Sequence, residues 1–292
     1  MNKLKPQNFI LGAGINGLIS AFYLHNYKVI GFTTEAQDNQ RFSLGIRLLH
    51  KSREMKKLLE SLGLSTETRK IKVGYYYEDR LHKTVTPRLM VEYFNKTRAF
   101  NGFFKSAMSG GKNNYEVFEV TMAELYNTLM EKVKDRITEE RVTKIDLLRR
   151  EIQLIDGKIL LFNKMVNTLP APVFYNLAGM DLVAKRFKAL PKTFHTTNKF
   201  MDLGDYDYVY FPEKNDPIHR ITNLEYGFVV EGNLAETDIK IEDTIIINNA
   251  QIASDRKAIS PLIDIRFIGR YATWDHGKKV NEVIRDVKGL CD

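Results

Sequence analysis

The stretch that decides the reading is Asn8–Phe32, NFILGAGINGLISAFYLHNYKVIGF. Asn8 to Leu11 is a short apolar run, Leu18 to Leu24 places apolar residues on most helical turns, and Lys28 to Phe32 is apolar again. The order strand, glycine turn, helix, strand within about 30 residues is the context in which G-x-G-x-x-G binds a dinucleotide. Each glycine of Gly12-Ala-Gly14-Ile15-Asn16-Gly17 has its own task. Gly12 permits the tight turn, Gly14 lets the backbone approach a pyrophosphate, and Gly17 lets helix and strand pack closely. The helix beginning at Ile15 and Asn16 aims free N–H groups and its positive dipole end at the phosphates. An acidic residue about 20 positions on should take the adenosine ribose. Glu35 stands 23 residues after Gly12; if the second strand stops at Phe32, the ribose position falls on Thr33 instead.

Working outward, the chain has 292 residues, enough for two domains or one large α/β unit with insertions. Apolar residues are 43% and charged residues 27%, which excludes a mainly disordered chain. Cys291 is the single cysteine, so neither an intrachain disulfide nor a cysteine metal site can form. The histidines His25, His50, His82, His195, His219 and His276 have no ligand spacing, and no metal is expected. No apolar run reaches 18 residues and Met1 to Asn8 does not read as a signal peptide, so the expected setting is cytoplasmic, with no membrane partner. The net charge of +8 suits an anionic ligand such as a nucleotide. Nucleic acid is permitted but unsupported, because the basic stretches lack interleaved aromatics. Neither a P-loop lysine motif nor G-x-S-x-G occurs, and adjacent Glu139 and Glu140 point apart rather than forming an acid/base pair.

Further elements follow from pattern. Arg53 to Leu62 reads as a helix closed by Gly63, and Met122 to Val133 as an amphipathic helix with Leu125, Leu129 and Val133 on one face. Ile145–Leu148, Glu151–Ile155 and Lys158–Phe162 suggest a meander turning at Asp156-Gly157, followed by a separate strand at Met165–Leu169. Tyr206 to Phe211 alternates, so Tyr206, Tyr208 and Tyr210 should share one strand face, where they either pack or wall a pocket. Ile245–Asn249 and Ile263–Ile268 read as late strands, and Val280–Val287 as a C-terminal helix.

The segment GAGINGLISAFYL resembles the opening of FAD-binding enzymes of the amine oxidase and protoporphyrinogen oxidase type. Phe42–Leu64, FSLGIRLLHKSREMKKLLESLGL, is similar to their next segment, and Lys158–Leu177, KILLFNKMVNTLPAPVFYNL, to their strand ending in NTLP. Phe267–Val287, FIGRYATWDHGKKVNEVIRDV, resembles a C-terminal flavin-contacting motif and is closest in form to UDP-galactopyranose mutases. Tyr208–Asn223, YVYFPEKNDPIHRITN, resembles the mutase segment that carries an active-site arginine. The islands stand in the family's order. Trp274 departs from the mutases' tyrosine, His276-Gly277 from other residues there, and the shorter chain implies a reduced substrate region.

The resemblance implies an α/β, Rossmann-like FAD-binding domain from residues 1–72, 115–170 and 260–292. A smaller α+β substrate domain would come from the insertions 73–114 and 171–259. Gly45 and Arg47 would pass the flavin or its phosphates. Gly269, Arg270, Trp274, His276, Gly277, Lys278 and Val280 would form the C-terminal contact. A helix beginning between Gly277 and Val280 would offer N–H groups to the electron-rich flavin edge. Arg220 would face the substrate and hold a carboxylate or phosphate, the alternative being an internal salt bridge. Tyr208 and Tyr210 would stand before the flavin. The leading expectation is an oxidoreductase taking hydride from a small molecule to flavin N5. The alternatives are a mutase acting on a nucleotide sugar, with Arg220 on its diphosphate, or a flavin-binding protein without catalysis.

Overall fold

The computed structural model describes residues 5–31, 48–97, 115–197, 203–224, 227–232, 243–252, 262–275 and 278–291. The opening stretch folds as read, into β1 (Gln7–Leu11), α1 (Ile15–Tyr23) and β2 (Tyr27–Ile30). β1 pairs in parallel with β2 on one side and with β11 (Ile159–Asn167) on the other. β8 (Ile137–Thr138) extends the parallel sheet beyond β2, and β17 (Ile265–Phe267) extends it beyond β11. The parallel order β8-β2-β1-β11-β17 reverses direction of winding between β1 and β11, where doubly wound sheets hold ligands at their strands' carboxyl ends. The α/β, Rossmann-like expectation holds.

One expectation needs correction. Lys158–Phe162 and Met165–Leu169 are not two strands but the single long β11. Its first half pairs antiparallel with β10 (Glu151–Leu154), which continues to β9 (Val142–Asp146). Its second half pairs in parallel with β1 and β17. The polar Asn163-Lys164 in the middle reads as a break, yet only marks where one strand passes from the meander into the main sheet.

Strand alternation splits the core. Ile10 and Val29 point to a helical layer made by α1, α2 (Arg53–Leu62), α4 (Met122–Val133) and α7 (Val280–Lys288). Phe9, Leu11 and Met165 point to the opposite layer, with α5 (Ala171–Leu177), α6 (Asp181–Ala184) and Trp274. Burying each such side chain contributes about 1.5–3 kcal/mol.

A second sheet runs β16-β12-β15-β14-β13-β5-β6. Its strands are β5 (Val73–Tyr77), β6 (Arg80–His82), β12 (Ala189–Thr197), β13 (Tyr208–Tyr210), β14 (Ile218–Leu224), β15 (Gly227–Gly232) and β16 (Asp243–Ile252). α3 (Pro87–Thr97) is fastened to it by Lys96, whose ammonium donates to the carbonyls of Phe211, Glu213 and Ile218 at 2.6–2.9 Å. A small sheet, β3 (Leu49–His50), β7 (Glu116–Phe118) and β4 (Thr68–Lys70), completes the fold. Among the described residues no helix is long and apolar enough to cross a membrane.

Candidate cofactor and substrate site

The glycine turn leaves the carboxyl end of β1 with Gly12 at φ +101°, a left-handed conformation that favours glycine. Gly17 is there for space: a Cβ on it would lie 1.9 Å from the Gly12 carbonyl oxygen. Gly14 is exposed, and a Cβ there would meet nothing within 4 Å. Gly14 is also the N-cap of α1, with no side-chain cap and no acidic residue in the first turn. Among the described residues no side chain claims the N–H groups opening α1, at Ile15, Asn16 and Gly17, which carry the helix's positive end.

The NTLP segment locks this turn. Thr168 follows β11, receives Leu11 as acceptor for both its backbone N–H (2.9 Å) and its hydroxyl (2.7 Å), and sits against the Cα of Gly12. Buried Asn167 braces the next bend, its carboxamide bonding both ways with the Leu169 backbone. Gly31, at the end of β2, packs on Ala13 so closely that a Cβ would lie 2.7 Å from its nitrogen. The residue types signalled a turn, but these contacts depend on β11 and β2 lying beside β1.

Two residues past β17, Gly269 stands at φ +96°, pressed against Asn16; a Cβ on it would lie 2.3 Å from Asn16 Nδ2. The two motifs that the sequence separates by 250 residues therefore touch. The Asn16 Oδ1 is buried and has no hydrogen-bond partner.

The second sheet carries the other group of candidates. Tyr75, Tyr210, Arg220 and Glu231 are cross-strand partners on four neighbouring strands and share one face. Arg220 donates to Glu231 Oε1 from Nε at 3.0 Å and again from a terminal nitrogen. Its guanidinium lies 5.2 Å from the Tyr208 ring centre and 5.9 Å from that of Tyr210. Burial disfavours the charge of Arg220, but the combined pull of Glu231 and the tyrosine oxygens holds the group above its ordinary range. Tyr210 stacks on Tyr75 and takes the edge of Tyr93 from α3 at 5.4 Å; burial first, then Tyr210, pushes the Tyr93 phenol up. Arg270 and Tyr271 lie within electrostatic reach of Glu231, and Arg270 also of Arg220. Burial lowers Arg270, Tyr271 opposes, and the nearby Arg220 charge lowers it further. Burial raises Tyr271, with Arg270 opposing.

The sequence-derived candidates thus sort as follows. Gly12, Gly14, Ile15, Asn16, Gly17 and Gly269 meet at one turn. Arg220, Tyr208 and Tyr210 meet at the polar row, with Arg270 in the field of Arg220; of the two roles open for Arg220, the salt bridge is the one formed. Tyr206 leaves the expected face: it precedes β13 and packs with Val209, Phe211 and Ile221 on the other side of the sheet. The Trp274 ring, 1% exposed, is core, edge-on to Phe187. The C-terminal helix begins at Val280, which is buried, and its Glu282 carboxylate already accepts from the Lys279 N–H at 2.8 Å. Lys278 pairs with Asp286. Thr33, Glu35, Gly45, Arg47, His276 and Gly277 lie outside the described residues. Among the described residues no group of three or more His, Cys, Asp or Glu could hold a metal. Sequence reasoning missed Thr168, Tyr93 and Glu231; only the NTLP resemblance hinted at the first.

The turn suits a phosphate-bearing group on two counts: an open side at Gly14 and a helix N-terminus that no side chain caps among the described residues. No protein-family model matches the chain, and no curated protein matches it in sequence. In structure it is similar to reduced UDP-galactopyranose mutase, at 13% identity and TM-score 0.69 over 98% of this chain and 96% of that one. It is also similar to a CLA-producing fatty acid isomerase from P. acnes, at 12% identity and TM-score 0.70 over 98% of each chain. A third likeness is to putrescine oxidase, at 9% identity and TM-score 0.62 over 99% of this chain and 98% of that one. At such identities the likeness is one of fold, and it bears out the fold implied by the sequence islands.

Proposed function

We propose that this chain is an FAD-dependent oxidoreductase taking hydride from a small molecule. The observation that carries the reading is the contact of Gly269 with Asn16, which brings the C-terminal motif against the glycine turn. A dinucleotide seated at the turn would extend toward the tyrosine–arginine row. On this reading the parallel sheet and its helices hold the cofactor, and the second sheet supplies the substrate wall.

FAD, when bound, would supply the two-electron acceptor, and the difficult chemistry would be its own. The chain's residues do the rest. The α1 N–H groups, Gly12 and Gly14 take the pyrophosphate, and Thr33 or Glu35 takes the adenosine ribose. Tyr75, Tyr93, Tyr208 and Tyr210 exclude water from one side of the site, and an arginine orients the substrate.

The test is the visible absorption spectrum of the purified protein, with the released cofactor identified after denaturation. A flavin spectrum and released FAD are expected. A colourless protein that takes up no added FAD would overturn the reading.

A further inference from the structure

Thr168 puts one oxygen against both ends of the glycine motif. Its hydroxyl donates to the Leu11 carbonyl at 2.7 Å and lies 3.4 Å from the Gly12 carbonyl oxygen. A Cβ on Gly12 would stand 2.6 Å from the same oxygen, and one on Gly17 3.3 Å from it. The residues around Thr168 reach the C-terminal motif. The Asn167 carbonyl accepts from the Ile268 N–H at 2.9 Å, and the Ala171 N–H donates to the Tyr271 carbonyl at 2.9 Å. Buried Asn167 closes its carboxamide on the Leu169 backbone, and Pro170 and Pro172 restrict the chain that follows. Thr168 therefore stands on a stiff segment bonded to both motifs. The Leu11 carbonyl also accepts from the Thr168 N–H at 2.9 Å, so it keeps a partner when the hydroxyl is removed. The hydroxyl is not needed to satisfy that carbonyl. What it sets is the position of Gly12, held at φ +101°, and of the turn that leads to Gly14 and α1.

We propose that Thr168 is a positioning residue for the dinucleotide: its hydroxyl fixes the turn so that Gly14 and the first N–H groups of α1 meet the pyrophosphate. The proposal rests on the site reading above. In Thr168→Val a methyl group takes the hydroxyl's place, 2.7 Å from the Leu11 carbonyl oxygen. Carbon and carbonyl oxygen ordinarily approach to about 3.3–3.6 Å, so the turn must shift by about half an ångström. Binding groups need to be held to about that tolerance. Thr168→Ala removes the support without the clash, and Thr168→Ser keeps the oxygen.

The experiment titrates the full chain with FAD and, separately, with NADH, and records the melting temperature of each apo variant. Thr168→Val should weaken FAD binding roughly tenfold or more, the scale of one misplaced hydrogen bond. Thr168→Ala should weaken it several-fold, and Thr168→Ser should bind nearly as the parent does. Ser52→Ala, which loses the α2 cap, should melt lower yet bind FAD as the parent does, separating stability from affinity. FAD binding unchanged in Thr168→Val or Thr168→Ala, or as weak in Thr168→Ser as in Thr168→Ala, would overturn the proposal. Failure of both Thr168→Val and Thr168→Ala to stay folded at the assay temperature would also overturn it, making Thr168 a residue of the fold alone. Thr168-dependent NADH binding by a chain that takes up no FAD would keep the positioning role and remove the flavin reading. FAD uptake indifferent to Thr168 would do the reverse, and a chain that takes up neither would overturn both.

Discussion

Gly14 and Gly17 stand three residues apart in one motif and do opposite work. Gly14 has φ −71° and open space where a Cβ would go, so the fold itself tolerates a side chain there. Gly17 has a backbone oxygen 1.9 Å from that point, so helix and turn must separate to admit one. Gly14→Val should therefore fold with an unchanged apo melting temperature yet fail to bind FAD, because the branched side chain fills the pyrophosphate's place. Gly17→Val should destabilise by about 3 kcal/mol or more, at or beyond the top of the usual overpacking range. Thermal melts of both apo variants, with FAD titrations, check the pair; retained FAD binding in Gly14→Val would remove the turn from the site. These glycines were legible because each answers a local geometric demand. Thr168 and Glu231 were not, because their roles arise from strands distant in sequence.

The elements that could be read from sequence are those that carry their own end signals. α2 begins at Ser52, whose hydroxyl accepts from the Met55 N–H, and ends at Gly63 with φ +72°. α4 begins with a full capping box: Thr121 accepts from the Glu124 N–H, and the Glu124 carboxylate accepts from the Thr121 N–H. Thr121→Ala should cost about 1 kcal/mol, read as a lower denaturant midpoint at unchanged slope. α3 was not legible, and its place depends on tertiary contacts: Tyr93 and Phe94 are buried, and Lys96 reaches carbonyls of chain distant in sequence. Burial lowers the Lys96 ammonium to about 8 from its usual 10.5, against the opposing pull of Asp216 and Glu213. Below pH 8 both folded and unfolded chains carry this proton, and the cost of burying the charge is present in full. Between about 8 and 10.5 the unfolded chain binds more protons, so this group makes stability rise with pH. Urea midpoints should climb across that window in the parent more steeply than in Lys96→Met; equal slopes would show that Lys96 titrates normally.

At the scale of the molecule, the two sheets were unequally legible. The parallel sheet is made of short apolar strands set next to helices, a pattern that local sequence announces. The second sheet draws on chain from Val73 to Ile252, and its ordering of strands comes from pairings that span the insertions. Thus Tyr208 and Tyr210 could be assigned a common face, but not their neighbours Arg220 and Glu231 across β14 and β15. The placement of Arg270, next to Gly269, in the field of Arg220 and Glu231 has a consequence for ligand linkage. A ligand that binds only the folded chain stabilises it by about 2.7 kcal/mol at a hundredfold excess over Kd. If FAD reaches from the glycine turn toward the tyrosine row, that stabilisation extends to both sheets. Amide hydrogen exchange should then slow on FAD addition in β1 and α1, and also in Tyr208–Tyr210 and Ile218–Leu224. In Gly14→Val neither region should respond. Protection confined to the parallel sheet would mean that the cofactor stops short of the arginine row, and that Arg220 and Glu231 serve the second sheet's packing alone.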